Sequence, residues 1–297
     1  MAEAAGALSV ADSIRQTLHA AMTADPSVLV LGESVGALGG VFRTTTGLQA
    51  EFGEQRVVQT PLSESATLGL ALGLAMGGKR PVVEVVTGAA AAFSQLGELA
   101  TLHGAEFPLP VVLRVPLGAL PGGGHTVDMV GTLVGMPGIQ VLAPSHPADA
   151  AAMLQQALDS QRPTVLIESI PCYAERASKP AGAPGKAVVH RSGRDLTLLS
   201  FGAAVSTCED IAASSEHDLG VVDLRSLSPL DTETLAAELR RSGRAILVHP
   251  SLVDDTLSRN LLAQVTQAAF LYLESPPTAV TADPAALSQA ISASLRF

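Results

Sequence analysis

Residues 56–84 read RVVQTPLSESATLGLALGLAMGGKRPVVE, and the order of short and long apolar segments in this stretch decides the fold. Two short apolar runs, Val57-Val58 and Val82–Val86, flank a segment from Ser63 to Met76 that has the length and composition of a helix. Pro61 ends the first run, and Ser63 stands where a helix N-cap is expected. A strand, a helix and a second strand in this order predict two parallel strands joined by a crossover helix.

The same alternation extends along the chain in both directions. Apolar residues four apart predict a first helix over Val10–Met22, followed by a buried strand at Ser27–Leu31. Further strands are predicted at 111–115, 139–142, 165–167, 196–199, 220–224 and 245–248, and further helices at 92–103, 148–158, 203–213, 232–241 and 256–269. The fold class is therefore α/β, with two parallel-sheet domains that carry helices on both faces.

One segment interrupts the pattern. Residues 175–186 read ERASKPAGAPGK, with two prolines, two glycines and no apolar rhythm, which is typical of a linker. We therefore predict a first domain at 1–176, a linker at 177–187 and a second domain at 188–297.

Composition excludes several classes of protein. The 297 residues carry a net charge of −10 without a cluster of lysine or arginine, which argues against nucleic acid as a partner. No apolar run reaches the roughly 18 residues of a membrane helix, so we expect no membrane contact. The two cysteines are too few for a disulfide framework, and no spacing of cysteines and histidines suggests a metal site. Met1–Val10 lacks the pattern of a signal peptide. We expect a cytoplasmic protein without a metal site of its own.

Glu64 is the residue whose surroundings first suggest chemistry. A carboxylate in the first turn of a helix is commonly a simple cap, stabilised by the helix dipole. The helix after it, however, is uncharged from Ser65 to Gly78, and glycines at 69, 73 and 77 recur on one face. Such a helix is expected to be buried and packed tightly against another backbone, which would place Glu64 beside a buried interface. The sequence alone leaves both interpretations of Glu64 open.

Several blocks, in chain order, resemble the β subunit of thiamine diphosphate-dependent 2-oxoacid dehydrogenases, the E1β family. They are LGESVGALGGVFRTTTGLQAEFG at 31–53, RVVQTPLSES at 56–65, GKRPVVE at 78–84, MPGIQVLAPSHPADA at 136–150 and VVDLRSLSPLD at 221–231. The resemblance implies a transketolase-like pyrimidine-binding domain followed by a transketolase C-terminal domain. It further implies an α subunit that supplies the diphosphate and Mg²⁺ site, in an α2β2 assembly. In agreement, this chain contains no Gly-Asp-Gly, the motif that holds this ion in such enzymes.

The resemblance also implies roles for single residues. Glu64 matches the glutamate that hydrogen-bonds N1′ of the cofactor's aminopyrimidine and so favours the tautomer that removes the C2 proton. The backbone of Leu62 is expected beside the same ring, and Glu33 is a second candidate near the pocket. His125, after three glycines, matches a loop histidine that assists acyl transfer to a lipoyl group. The implied substrate is a 2-oxo acid, and a lipoyl-bearing acyltransferase (E2) is a further expected partner.

The chain also departs from the family pattern. Residues 85–96, VVTGAAAAFSQL, lack the aromatic ring that packs on the pyrimidine in the family, because Phe93 matches a later helix position. The potassium-site region near 159–161 also differs from the family pattern. Two alternatives therefore stay open: the C-terminal half of a split transketolase, and a non-catalytic E1β-like scaffold or regulator. The sequence does not identify the 2-oxo acid, the partner chain or the acyl acceptor.

Overall fold

The structure, a computed structural model, describes residues 8–86, 93–104, 107–118, 130–176, 182–183, 185–250 and 255–297. The chain divides into two compact units, Met1–Met129 with Met136–Ala181, and Val130–Gly135 with Gly182–Phe297. Among the described residues, no helix combines the length and apolarity needed to cross a bilayer. The predicted limits 1–176, 177–187 and 188–297 stay a prediction.

The first helix, α1 (Val10–Ala24), begins at a capping box. The Ser9 hydroxyl accepts from the backbone N–H of Asp12 at 3.1 Å, and the Asp12 carboxylate accepts from the backbone N–H of Ser9 at 3.4 Å. Four apolar residues repeat along one face and are buried, namely Val10, Ile14, Leu18 and Met22. The helix predicted from their spacing is confirmed.

A parallel sheet forms the centre of the first unit. Its strands are β1 (Val28–Gly32), β2 (Val57–Gln59), β3 (Arg80–Glu84), β4 (Val112–Leu117), β5 (Gln140–Leu142) and β6 (Thr164–Ser169). They lie in the order β5-β6-β4-β3-β1-β2, and every neighbouring pair among them is parallel. Every residue of β1, β4 and β6 is buried, as expected for parallel strands covered on both faces.

The other elements of the first unit connect these strands. They are α2 (Leu48–Phe52), α3 (Glu64–Met76), α4 (Phe93–Gly104), α6 (Pro147–Asp159) and a 3₁₀ turn at Ile170–Ala174. Between α4 and α6 in the chain lies α5 (Val130–Val134), which clusters with the second unit. Helices α3, α4 and α6 were predicted from the sequence, but neither of the five-residue helices, α2 and α5, was predicted.

The second unit has its own sheet. Its strands are β7 (Val188–Arg191), β8 (Leu196–Ser200), β9 (Leu219–Asp223), β11 (Ala245–His249) and β12 (Thr278–Thr281), in the order β12-β11-β8-β9-β7. All neighbouring pairs are parallel except β7 with β9, which is antiparallel. The α/β class with two mostly parallel sheets is confirmed.

Helices of the second unit pack on this sheet. They are α7 (Ala204–Ser214), α8 (Thr232–Ser242), α9 (Asp255–Ala269) and α10 (Pro284–Ser294). The same unit contains a short strand, β10 (Ser226–Ser228), which is not part of this sheet, and a 3₁₀ turn at Phe270–Tyr272. Buried side chains of β8, β9 and β11 meet Cys208 of α7 and Leu287 of α10 in one apolar core. The Arg225 guanidinium donates to the backbone carbonyls of Ala183 and Lys186, at 2.9 and 2.8 Å.

Candidate functional site

A recess opens in the first unit at the carboxyl ends of β1, β2 and β3. Its lining comprises Glu33, Thr60–Glu64, Thr67 and Glu84–Val86. Glu33 follows β1, the 60–64 turn follows β2, and Glu84 ends β3, so three neighbouring parallel strands deliver these residues to one sheet edge. Ligands of open α/β sheets bind outside the carboxyl ends of the strands. We call this recess the carboxylate pocket.

The structure brings three of the predicted site residues together. Glu33, Leu62 and Glu64 all line the carboxylate pocket, although they are separated by up to 31 positions in the chain. Glu33 and Glu64 are partly buried, whereas the Leu62 side chain is 63% exposed. His125 lies outside the described residues, as do residues 87–92 of the stretch 85–96 that lacks the family's aromatic ring.

The turn that carries Leu62 and Glu64 is fixed by short hydrogen bonds. The backbone N–H of Ser63 donates to the carbonyl of Pro61 at 2.8 Å. The Thr67 hydroxyl donates to the carbonyl of Ser63 at 3.0 Å and also lies 3.0 Å from the Thr60 hydroxyl. Ser63 occupies the N-cap of α3 as predicted, but its side chain makes no cap hydrogen bond. Glu64 is the first residue of α3, where the helix dipole favours a carboxylate.

Behind the pocket lies a buried group of charges that the sequence analysis missed. The Arg114 guanidinium, in the middle of β4, is fully buried and donates twice to the Glu168 carboxylate, both at 2.7 Å. Its third contact, at 2.8 Å, is to Oε2 of Glu84, which is 4% exposed. The Tyr173 hydroxyl donates to Oε2 of Glu168 at 2.6 Å. We call these four residues, Glu84, Arg114, Glu168 and Tyr173, the buried array.

Protonation in the buried array follows from its geometry. Burial alone would lower the pKa of Arg114, but the adjacent carboxylates of Glu168 and Glu84 outweigh it and raise that pKa above the usual value. Burial, with the charge of Glu168, raises the pKa of the Tyr173 phenol. Arg114 therefore stays cationic and Tyr173 stays a hydrogen-bond donor. The array therefore holds one positive charge between two buried carboxylates, and both carboxylates contact it.

The array reaches the pocket through Glu84. Oε2 of this residue accepts from Arg114 and from the buried Thr44 hydroxyl, the latter at 2.9 Å. Its other oxygen, Oε1, has no hydrogen-bond partner among the described residues. A signal for Glu84 was present in the sequence, because it is a charged residue inside the apolar run Val82–Val86. Arg114, inside the apolar strand VLRVPL, was a second overlooked signal of this kind.

Helix α3 also differs from its prediction. Thr67, Leu68, Ala71, Leu72 and Ala75 are buried, but Gly69 and Gly73 are exposed, and a Cβ added at either would meet nothing within 4 Å. The expectation that this helix is buried and tightly packed against another backbone is therefore wrong for the single chain. The exposed side of α3 also carries Leu70 and Met76, which are 46% and 63% exposed. Large apolar side chains clustered on a surface are typical of a protein interface.

Together these features define a class of protein: a two-unit α/β chain with a carboxylate-lined recess at the edge of a parallel sheet. Comparison with known families agrees with this class. Residues 6–174 match the transketolase pyrimidine-binding domain, and residues 185–295 match the transketolase C-terminal domain.

Individual relatives indicate a narrower class of protein than the two domain families do. The pyruvate dehydrogenase E1 component subunit beta of Staphylococcus epidermidis is 37% identical over 294 residues, which cover 93% of this chain and 90% of that protein. The 3-methyl-2-oxobutanoate dehydrogenase subunit beta of Mycobacterium tuberculosis is 38% identical over 285 residues, covering 91% and 82%. Among solved structures, an inactive beta4 tetramer of a split-gene transketolase has a TM-score of 0.71 at 19% identity, covering 98% of this chain and 95% of that one. That likeness shows the fold alone.

The chain belongs to the family of 2-oxoacid dehydrogenase E1 β subunits. It is therefore an enzyme subunit of the oxidoreductase class, and enzymes of this transketolase-like family depend on thiamine diphosphate.

Proposed function

We propose that this chain joins an E1α-like subunit to complete a thiamine diphosphate site that decarboxylates a 2-oxo acid. The complex then passes the acyl group to a lipoyl group or another acceptor. The observation that supports this proposal most strongly is the carboxylate pocket, in which Glu33, Leu62 and Glu64 lie together at the carboxyl edge of the sheet. The relatives named above, both β subunits of such dehydrogenases, support the same reaction class.

The pocket fits one half of thiamine diphosphate. Its described lining includes three glutamates and neither lysine nor arginine, so it offers hydrogen-bond acceptors to an amino-substituted ring. A diphosphate would be repelled by the same carboxylates, and the chain has no Gly-Asp-Gly to hold Mg²⁺. We therefore assign the aminopyrimidine end of the cofactor to this chain, and the diphosphate with its Mg²⁺ to the α subunit.

Glu64 is the proposed catalytic residue. When bound, thiamine diphosphate supplies the carbon nucleophile and the electron sink that decarboxylation needs. The carboxyl of Glu64 holds a proton at N1′ of the ring and transfers it as the ring changes tautomer. Its position at the start of α3 keeps the carboxyl at the pocket wall. The Leu62 backbone faces the ring edge in this proposal, and Glu33 supplies a second acceptor.

The open face of α3 supports the need for a partner. Gly69 and Gly73 leave room for a second backbone to approach closely, and the exposed Leu70 and Met76 would lose contact with water when it does. We propose that this face, defined by Gly69, Leu70, Gly73 and Met76, lies in a subunit interface of an α2β2 heterotetramer. The chain is then inactive alone, because half of its cofactor site is missing.

Two further assignments complete the proposal. His125 assists transfer of the acyl group to the lipoyl group of an E2 acyltransferase, as the family resemblance implies. The complex is cytoplasmic, which agrees with the two cysteines, Cys172 and Cys208, being buried and free of disulfides.

A native pull-down tests the partnership. The tagged chain is isolated from its own cells with thiamine diphosphate and Mg²⁺ present, and stoichiometric partners are identified by mass spectrometry. The proposal predicts one partner that contains Gly-Asp-Gly and a downstream asparagine, and a complex that releases CO₂ from a 2-oxo acid. Recovery of the chain alone as a homo-oligomer would contradict the proposal and favour the non-catalytic scaffold.

A further inference from the structure

The glycine-rich loop 33–47 connects Glu33 of the pocket to the buried array. Its path is tightly folded, since Gly39 and Gly40 have φ of +76° and +80°. The backbone N–H of Gly40 donates to the carbonyl of Ser34 at 2.7 Å, and the Thr45 hydroxyl donates to the carbonyl of Val35 at 3.0 Å. These bonds fasten the middle of the loop to the two residues that directly follow Glu33.

Three residues of this loop contact the buried array. The Thr44 hydroxyl, fully buried, donates to Oε2 of Glu84 at 2.9 Å. The backbone of Gly40 packs on the other oxygen of the same carboxylate, so that a Cβ at this position would lie 3.0 Å from Oε1. The ring of Phe42 stacks on Tyr173, with centroids 4.7 Å apart.

The array is a firm base for these contacts. Glu84 belongs to β3, Arg114 to β4 and Glu168 to β6, three adjacent strands of the central sheet. The two parallel bonds between Arg114 and Glu168 fix the plane of the guanidinium, and the guanidinium in turn fixes Glu84. Buried side chains, rather than solvent-exposed contacts, therefore fix the position of the loop relative to the sheet.

We propose that Thr44 and Glu84 are positioning residues that act through Glu33. Thr44 holds the loop on Glu84, and the loop's bonds to Ser34 and Val35 then hold the Glu33 carboxylate at the carboxylate pocket. The inference rests on the proposed function for the identity of the ligand, but the ordering of the loop by the Thr44–Glu84 hydrogen bond does not depend on it.

Two substitutions at Thr44 distinguish a hydrogen-bonding role of its hydroxyl from a packing role of its methyl group. Thr44→Val keeps the shape of the side chain and removes the hydroxyl, whereas Thr44→Ser keeps the hydroxyl and removes a methyl group. A hydrogen-bonding role predicts that serine preserves the wild-type behaviour and valine does not. A packing role predicts the reverse order, because a buried methyl group would then matter more than the hydroxyl.

The first readout is hydrogen–deuterium exchange of the full chain, in whatever assembly it is isolated, without added cofactor. Peptides that contain Gly40 and Thr45 should exchange faster in the Thr44→Val variant and at the wild-type rate in Thr44→Ser. Equal exchange in all three proteins, or faster exchange in the serine variant alone, would overturn the inference. This arm needs no ligand, so it tests the loop even if the proposed function fails.

The second readout is the affinity of the assembled complex for thiamine diphosphate, measured by calorimetry. Loss of one buried hydrogen bond should weaken binding roughly tenfold in Thr44→Val and leave Thr44→Ser unchanged. Because Thr44 acts through Glu33, adding Thr44→Val to a Glu33→Gln variant should cause little further loss. Fully additive losses would overturn the link to Glu33. A wild-type complex that does not bind thiamine diphosphate would instead refute the proposed function.

Discussion

Replacing Arg114 by methionine should lower the free energy of unfolding of the chain by about 3–5 kcal/mol. The guanidinium is fully buried and makes three contacts of 2.7, 2.7 and 2.8 Å to two glutamates. Methionine is apolar and similar in length, so little volume is lost. It leaves Glu84 and Glu168 buried without their shared cation. Among the described residues, only the side-chain hydroxyls of Thr44 and Tyr173 still donate to them.

Urea denaturation followed by circular dichroism measures this loss. Arg15→Met is a matched control, because Arg15 pairs with Asp12 at 3.5 Å with both side chains about a third exposed, and it should cost under about 1 kcal/mol. The double variant Arg114→Met with Glu168→Gln should regain part of the loss, since one of the two uncompensated charges is removed. An Arg114→Met chain no less stable than the Arg15→Met chain would show that the contacts of Arg114 with Glu84 and Glu168 do not stabilise the fold.

Two further predictions concern other parts of the chain. Burial tends to raise the pKa of Asp231, the N-cap of α8, but hydrogen bonds from Thr234, Ala187 and Lys186 outweigh it and hold that pKa below the usual value. Asp231→Asn should therefore cost about 1 kcal/mol at pH 7. The difference in urea midpoint should shrink as the pH falls below about 4 and disappear below the lowered pKa of Asp231; a difference that stays unchanged down to about pH 2.5 would contradict this. Gly73→Leu, at an open position of α3, should not lower the chain's own unfolding midpoint, because leucine is a better helix former than glycine, but it should abolish the native mass of the complex. Ala237→Leu, at an exposed position of α8, should preserve assembly.

The local pattern of apolar residues was sufficient to predict most of the helices and strands. In α1, apolar residues four apart marked the buried face, and in β1 and β6 continuous apolar runs marked strands covered on both sides. The missed elements had weaker signals. Helix α10 is rich in small residues, so its apolar face is indistinct, although Asp283 followed by Pro284 was a usable start signal. Strand β7 is only half-buried, and it is the one strand of the two sheets described above that pairs antiparallel.

The candidate site also contains some residues that the sequence could indicate and others that it could not. Glu33, Leu62 and Glu64 could be singled out because each lies within a recognisable block of sequence, Glu33 directly after β1 and the other two in the segment between β2 and α3. The buried array could not, because its contacts join residues 30 and 54 positions apart, which only the order of β3, β4 and β6 brings together. The error over α3 has a different cause. An uncharged, glycine-lined helix indicates burial, but sequence does not say whether the covering surface belongs to the same chain.

The central claim is that Glu64 moves the proton that activates a thiamine cofactor shared with the partner subunit. The most direct test is CO₂ release from 2-oxo acids by the assembled complex, with Glu64→Gln compared with Glu54→Gln, a substitution at an exposed residue away from the pocket. Both variants should assemble with the wild-type mass. Turnover should fall at least about a hundredfold in Glu64→Gln alone, because a general acid–base group is removed. Full turnover in a correctly assembled Glu64→Gln complex would contradict the account.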